Sequence, residues 1–295
     1  MPSDAPTIAG APPQAGPLAI ICGGGSLPGA VADAVARRGR RPVMFAIKGW
    51  ADGAVIGRYA HHWIAIGQAG RFFRLARAEN CGEVLFIGTV LRPPITQLRL
   101  DWRTIRTMPG LIRAYRGGDD KLISGVARIA ESGGLRVVGV KEVAPEVLVP
   151  EGVLGRYQPS QRDNSDIARA LDVIAALGPF DVGQAAVVAD NHVLGVEAAE
   201  GTDNLLNRIA ELRRLGRVTS PPGTGVLVKA PKPGQDRRFD LPSIGPRTVE
   251  NVARAGLAGL AVTAGSTMIA EADAVTVAAD RERIFLIGLR EDTAR

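Results

Sequence analysis

The densest group of chemically capable side chains lies late in the sequence, on a segment with prolines on both sides of Lys232. Lys229, Lys232 and Asp236 fall within eight consecutive residues. Two ammonium groups beside a carboxylate suit a phosphate and a divalent cation bound together, and the prolines reduce the entropy lost on ordering the loop. Arg247 and Thr248 follow at the start of a predicted helix, where an arginine can bind phosphate through two hydrogen bonds. The segment predicts a site for a phosphate-bearing ligand.

A second group, Glu200, Thr202 and Asp203, lies at a predicted junction between a strand and a helix. Helix capping by Thr202 or Asp203 explains one of these residues without any ligand. Glu200, beside them, is harder to explain by capping. Because the candidate sites are rich in carboxylates and the chain has only 3 histidines, a hard cation such as Mg²⁺ or Mn²⁺ is favoured over zinc.

A glycine-rich loop near the start of the chain is the third candidate, and its residues of interest are Gly24, Gly25, Ser26 and Leu27. Glycines let backbone amides approach a ligand, and a helix N-terminus favours anions. The spacing is not that of a dinucleotide fingerprint, and the next strand ends in Lys48-Gly49 with no acid for a ribose diol. An NAD-linked oxidoreductase is therefore disfavoured. A tight turn without ligand is the alternative to a nucleotide or phosphate loop.

Two further stretches have both a structural and a functional interpretation. Asp119 and Asp120 open a predicted helix, where capping and the helix dipole are a sufficient explanation, and ligand binding is the alternative. Residues 98–113 place arginines and apolar residues at helical spacing, although Pro109 interrupts them. This stretch suits either an anionic membrane surface and an acyl chain, or an ordinary helix over the core.

Alternating apolar strands and amphipathic helices position these groups and predict an α/β fold. We expect a disordered leader at 1–16, a Rossmann-like N-terminal domain at 17–144 and a proline-bearing linker at 145–160. A second, mixed α/β domain at 161–295 follows as the catalytic domain. It includes a hairpin that turns at Asp190-Asn191.

The composition narrows the class of protein. The net charge is +6, which favours anionic partners, but no nucleic-acid-binding motif is present and no nucleic acid partner is expected. The chain has 2 cysteines, no recognisable secretory signal and no apolar run of transmembrane length. These features predict a cytoplasmic protein.

Six motifs in one order give the chain a family resemblance. They are the early glycine loop, Gly118-Asp119-Asp120, Asp181-Val182-Gly183-Gln184, Glu200-Gly201-Thr202-Asp203, Lys232-Pro233-Gly234-Gln235-Asp236, and the run from Asp240-Leu241-Pro242 to Thr248. In this combination the sequence resembles the LpxI-type UDP-2,3-diacylglucosamine pyrophosphatases of lipid A biosynthesis, from about residue 18 to residue 288.

The resemblance implies Mg²⁺-dependent hydrolysis of UDP-2,3-diacylglucosamine to UMP and 2,3-diacylglucosamine 1-phosphate (lipid X), with substrate between two domains. It implies catalytic roles for Asp236, Lys229, Lys232 and Arg247, with Asp236 and Asp203 as candidate metal ligands. The expected substrate-binding residues are Gly24, Gly25, Ser26, Leu27, Asp119, Asp120, Glu200, Thr202, Asp203, Gln235 and Thr248. Contact with the cytoplasmic face of the inner membrane and a homodimer remain open. A non-catalytic protein that binds a nucleotide sugar or lipid is the alternative.

Overall fold

The described part of the chain contains two large β-sheets, each flanked by helices. The computed structural model describes residues 16–90, 101, 119–232 and 236–290. The arginine-bearing stretch at 98–113 therefore lies outside the described residues, apart from Asp101. No helix in the described part of the chain combines the length and apolar character needed to cross a membrane.

The first sheet contains five parallel strands in the spatial order β3-β2-β1-β4-β5, namely β1 (Leu18–Cys22), β2 (Pro42–Ile47), β3 (Ala60–Ile64), β4 (Glu83–Ile87) and β5 (Arg136–Val137). Strands β1 and β2 are apolar along their length because both faces of the sheet are covered. The order is that of the first five strands of dinucleotide-binding folds, and it reverses between β1 and β4.

Helices cover both faces of this sheet, namely α1 (Leu27–Arg37), α2 (Gly53–Ile56), α3 (Ala69–Ala78), α4 (Asp119–Ser132) and α5 (Val140–Val143). Val31 and Val35 of α1 pack with Ile20 on one face. Phe72 of α3 and Ala127 of α4 pack in a separate cluster on the other face. This is the doubly wound arrangement that the alternating pattern predicts.

The second sheet has six strands in the spatial order β6-β13-β11-β9-β7-β8, and a parallel pair of short strands lies apart from it. The strands are β6 (Gly152–Leu154), β7 (Ala185–Ala189), β8 (His192–Val196), β9 (Val226–Lys229), the short β10 (Ser243–Ile244), β11 (Gly259–Thr263), the short β12 (Met268–Ile269) and β13 (Phe285–Leu289). Strands β9, β11 and β13 are parallel, whereas β6 and β7 run antiparallel to their neighbours in this core.

Four helices flank the second sheet, namely α6 (Gln161–Leu177), α7 (Gly201–Arg214), α8 (Pro246–Arg254) and α9 (Ala272–Glu282). Helix α6 packs on one face, and α7, α8 and α9 share the cluster on the other. The mixed sheet with helices on both faces confirms the predicted α/β class for the second half.

The chain passes from the hydrophobic core of the first domain to that of the second between two consecutive residues. Leu148 packs in the core of the first domain, and Val149 packs in the core of the second. Within the predicted linker at 145–160, strand β6 pairs with β13 and Ser160 caps α6 through the backbone amide of Asp163. Leu241 and Met268, from the second half of the chain, lie in the core of the first domain. Much of the segment between the domains is therefore packed structure.

The predicted hairpin at Asp190-Asn191 is confirmed, and a buried carboxylate holds it. Strands β7 and β8 pair antiparallel, and both turn residues have positive φ values, 54° and 59°. The side chain of Asp166, on α6, is fully buried and accepts hydrogen bonds from the backbone amides of Asp190 (3.1 Å) and Asn191 (2.6 Å). The carboxylate thus ties the turn to the helix that covers the sheet.

Replacing Asp166 by alanine removes a charged acceptor from two amides. Because hydrogen bonds to charged groups contribute more than neutral ones, we expect Asp166→Ala to lower the free energy of unfolding by about 2 kcal/mol. Urea denaturation followed by circular dichroism measures the change. Asp172→Ala, at an exposed position of the same helix, is the control. An equal effect of the two substitutions would contradict the role given to Asp166.

Candidate functional site

The carboxyl edge of the second sheet gathers most of the predicted polar residues. Lys229 is the last residue of β9 and lies opposite Ala185, the first residue of β7. Gln184 therefore lies at the same edge, and so does Glu197, which follows β8, the hairpin partner of β7. Helix α7 begins four residues later, at Gly201. The antiparallel hairpin beside a parallel strand thus delivers residues from three strands and a helix N-terminus to one place.

Glu197 is the carboxylate that links these elements, and no sequence motif singles it out. Its two oxygens accept hydrogen bonds from the backbone amide of Gln184 (3.0 Å) and the hydroxyl of Thr202 (2.7 Å). A Cβ atom on Gly183 would lie 2.2 Å from the backbone oxygen of Glu197, so only glycine fits there. The glycine of the Asp181–Gln184 motif is thus explained by the close approach of two strands.

Asp203 joins the first turns of α7 and α8. Its carboxylate accepts one hydrogen bond from the guanidinium of Arg247 and another from the side-chain amide of Asn251 at 2.7 Å. Arg247 remains largely exposed, with 76% of its side chain accessible. The predicted residues Asp203 and Arg247 are therefore in contact, and the guanidinium keeps accessible surface that can receive an anion.

Lys229 is the buried cation of this edge. Its side chain is only 8% exposed, and its ammonium donates to the backbone carbonyl of Ser243 at 2.9 Å. Burial lowers the pKa of Lys229, because the charged form loses solvation, and the negative charges of Glu197 and Asp203 oppose that shift. A poorly solvated ammonium near an open edge is well suited to stabilise an anionic ligand.

Lys232 lies on the same loop and is 6% exposed. It forms an ion pair with Asp181, a residue in the left-handed region at φ 54° that ends the short helix before β7. Asp240 accepts a hydrogen bond from the side chain of Gln184 at 3.0 Å. Lys232 and Asp240 are thus each bound to the segment that leads into β7.

Asp236 lies where the two domains meet. The guanidinium of Arg238 donates to it at 2.8 Å and, on its other side, to Glu131 of α4 at 3.2 Å. The neighbouring Phe239 contacts Phe86 of β4, with ring centroids 5.8 Å apart. Arg238 holds the pKa of Asp236 below its usual value, against the opposing effect of partial burial. Asp236 is therefore an ionised carboxylate at the domain boundary.

The glycine loop lies at the point where the first sheet reverses its strand order. Gly24 forms a two-way bridge with Thr89, after β4, and a Cβ atom on Gly23 would lie 2.4 Å from the Thr89 oxygen. Close packing of the two loops therefore explains the first glycine. Gly25 has φ 94° and is exposed, and Ser26 is exposed with no side-chain cap on α1. These two exposed residues lie at the switch point of the strand order, where doubly wound folds bind ligands.

The remaining predicted residues do not join the cluster through the contacts described. Glu200 pairs with Arg208 on its own helix, and Thr248 accepts from the amide of Gly245 as a helix cap. Leu27 begins α1 and packs against the core of the first domain. Asp119 and Asp120 begin α4, and their side chains, like all of Gln235, lie outside the described residues.

The carboxylates of the site do not by themselves enclose a metal ion in the described part of the chain. Among the described residues, no group of three or more His, Cys, Asp or Glu side chains is arranged to hold a metal ion. Asp203 and Asp236 each engage an arginine. Magnesium sites in phosphoryl-transfer enzymes use one or two carboxylates together with substrate phosphates and water. The donor set fits such a shared site and does not fit a cage built from these protein side chains alone.

The buried lysine generates a prediction for stability against pH. The folded protein holds the Lys229 proton more weakly than the unfolded chain, so stability rises as pH increases from the folded pKa towards 10.5. Lys229→Met removes the titrating group, and with it this dependence of stability on pH. At pH 7 we expect the variant to have a higher free energy of unfolding than wild type. The difference between the two should shrink as the pH approaches 10.5.

Urea unfolding at several pH values measures this gap. Lys141→Met, at an exposed position of α5, serves as the control and should show no such trend. A gap that widens with pH would contradict the assignment of a lowered pKa to Lys229.

The chain is similar to known proteins over most of its length. Two family models match in succession, the LpxI N-terminal domain over residues 17–147 and the LpxI C-terminal domain over residues 150–287. The UDP-2,3-diacylglucosamine pyrophosphatase LpxI of Caulobacter vibrioides is 41% identical over 272 residues, which cover 92% of this chain and 97% of that protein. The resemblance given by the six motifs is confirmed, and the chain belongs to the LpxI family.

Proposed function

We propose that this protein hydrolyses the pyrophosphate bond of UDP-2,3-diacylglucosamine, with Mg²⁺, to UMP and 2,3-diacylglucosamine 1-phosphate (lipid X) in lipid A biosynthesis. Family membership supports a pyrophosphatase acting on this substrate. The observation that carries the proposal is the buried ammonium of Lys229 at a sheet edge shared with Thr202, Asp203 and Arg247. Such an edge can bind a doubly charged pyrophosphate and stabilise the charge that builds on it during attack by water.

In the proposed reaction, water attacks the phosphorus on the sugar side. The new bond forms between the water oxygen and this phosphorus, the bond to the bridging oxygen breaks, and UMP leaves with that oxygen. Bound Mg²⁺ supplies charge neutralisation at the phosphoryl oxygens. Asp236, ionised beside Arg238, is suited to hold the cation or to accept a hydrogen bond from the attacking water. Asp203 is the second candidate metal ligand.

The cations have separate positions in this scheme. Lys229 approaches from within the sheet, and the exposed guanidinium of Arg247 approaches from the N-terminus of α8. Lys232 adds a buried charge on the loop between Lys229 and Asp236. Gly25 and Ser26, at the crevice of the first domain, are suited to the uridine phosphate. On this proposal the substrate spans the two domains. Docking of its acyl chains at the cytoplasmic membrane face and dimerisation stay predictions.

Replacing Asp236 by asparagine tests the central carboxylate. We expect Asp236→Asn to fold and to lose roughly a hundredfold or more in kcat for UMP release, the scale seen when a key electrostatic group is removed. The assay uses UDP-2,3-diacylglucosamine with Mg²⁺ or with a chelator. Asp172→Asn, exposed on α6, is the matched control. Wild-type protein that releases no UMP with any metal would instead favour a non-catalytic protein that binds a nucleotide sugar or lipid.

Glu197 offers a second test, because it touches Thr202 and the segment before β7 without an assigned contact to substrate. Removing such a supporting group lowers activity by roughly 10- to 100-fold in comparable sites. We expect Glu197→Gln to fall in that range in kcat/KM while keeping the wild-type circular dichroism spectrum. Glu211→Gln, in an exposed pair with Arg214 on α7, should keep full activity. Full activity of Glu197→Gln would remove Glu197 from the site.

A further inference from the structure

A buried amide lies between the two helices whose first turns carry Asp203 and Arg247. It belongs to Asn251 of α8, which is only 4% exposed. The other buried residues of α7 and α8 are leucine, isoleucine and valine. Burying an amide costs free energy unless its donor and its acceptor are both paired, and an apolar side chain at this position would avoid that cost. The contacts of Asn251 must therefore explain why an asparagine is present.

Both ends of the Asn251 amide are paired. Its nitrogen donates to Asp203 at 2.7 Å, and its oxygen accepts from the guanidinium of Arg254. An arginine can only donate, so the amide oxygen must face Arg254 and the NH₂ group must face Asp203. Arg254 also donates to Asn207 of α7 at 3.2 Å. The orientation of the amide is therefore fixed, and it presents a donor to the carboxylate.

Asp203 links this amide to the exposed guanidinium of Arg247. Asn251 donates to Oδ1 of the carboxylate, whereas Arg247 donates to Oδ2. Among the residues that the structure describes, Asp203 is the one hydrogen-bond partner of the Arg247 side chain. Because a carboxylate held at one oxygen cannot rotate freely, its second oxygen keeps its direction. The direction of the Arg247 side chain therefore depends on Asn251 through Asp203.

The spacing along the two helices brings these contacts into register. Arg247 and Asn251 are four residues apart on α8, and Asp203 and Asn207 are four residues apart on α7, so each pair lies on one face of its helix. Asp203 and Arg247 lie in the first turns, and the amide lies one turn further along α8. With so little exposed surface, Asn251 supports the pair from behind and does not itself bind a ligand.

We propose that Asn251 is a positioning residue for the pyrophosphate site, because it holds the Asp203 carboxylate, which in turn directs the guanidinium of Arg247 towards the substrate. The inference rests on the proposed function in one respect, namely that Arg247 binds the substrate pyrophosphate. Catalysis needs its binding groups in a defined geometry, so a misdirected guanidinium slows the reaction. None of the six sequence motifs includes Asn251.

Replacing Asn251 by leucine tests the amide. Leucine has the same branched shape and removes both the donor and the acceptor. We expect Asn251→Leu to keep the wild-type circular dichroism spectrum and to lose at least about tenfold in kcat/KM for UMP release from UDP-2,3-diacylglucosamine. Asn251→Ala takes its place if the leucine variant does not fold. Unchanged kcat/KM in a folded variant would overturn the proposal.

Asn207→Ala is the matched control. Asn207 is exposed, and its substitution removes a hydrogen bond of Arg254 while it leaves the bond between Asn251 and Asp203 in place. The control should release UMP like wild type. A loss equal to that of Asn251→Leu would assign the effect to the general packing of α7 against α8 and would also overturn the proposal.

A double-mutant cycle with Arg247→Ala separates positioning from general support of the fold. Residues that act through one network have non-additive effects. If Asn251 acts through Arg247, Asn251→Leu should change kcat/KM by less than about twofold in the Arg247→Ala background. A loss of about tenfold in both backgrounds would instead mean that Asn251 supports the fold alone, and the positioning role would be rejected.

Binding of inorganic pyrophosphate to the same variants, measured by isothermal titration calorimetry, distinguishes this proposal from the proposed function. If wild type releases no UMP but binds pyrophosphate more tightly than Asn251→Leu and Arg247→Ala, the positioning role is kept and the activity is rejected. If wild type and Asn251→Leu release UMP equally well, the activity is kept and the positioning role is rejected. Wild type that neither releases UMP nor binds millimolar pyrophosphate rejects both.

Discussion

An ammonium group at the end of a buried strand is the constraint around which the second domain is arranged. Lys229 follows three fully buried apolar residues, so its charge is carried to the sheet edge with little water around it. The fold compensates by placing Glu197 and Asp203 within electrostatic reach and a backbone carbonyl within hydrogen-bond distance. Both carboxylates come from the segment in which β8 ends and α7 begins. Binding of an anion would complete the compensation, because the charge is then paired.

Much of the fold follows from local patterns in the sequence. The apolar runs Leu18–Cys22 and Pro42–Ile47 predict two strands, and β1 and β2 have these bounds. The hairpin forms at the predicted Asp190-Asn191 turn. The apolar run from Leu135 to Val140 predicts a strand of six residues, whereas β5 has only two and α5 begins at Val140. Hydrophobicity alone does not distinguish a strand from a buried turn of helix, and tertiary packing decides between them.

The sequence predicts which types of residue form the candidate site. It does not predict which of those residues touch each other. Lys229, Asp203 and Arg247 were identified because charged residues beside predicted element ends are informative. Glu197 was missed because a single acid after an apolar strand resembles any surface residue, and its role appears only when Gly183 brings two strands together. Glu200, which the sequence does single out, pairs with Arg208 on its own helix, and its contact with substrate stays a prediction.

The packing of Leu241 and Met268 into the core of the first domain has a consequence for synthesis of the chain. The first family match ends at residue 147, yet the apolar cluster beneath α1 includes side chains that are translated about a hundred residues later. A nascent chain that has just completed the first sheet still exposes the surface that these two residues cover. On the ribosome, the core of the first domain therefore stays incompletely packed until most of the C-terminal half has emerged.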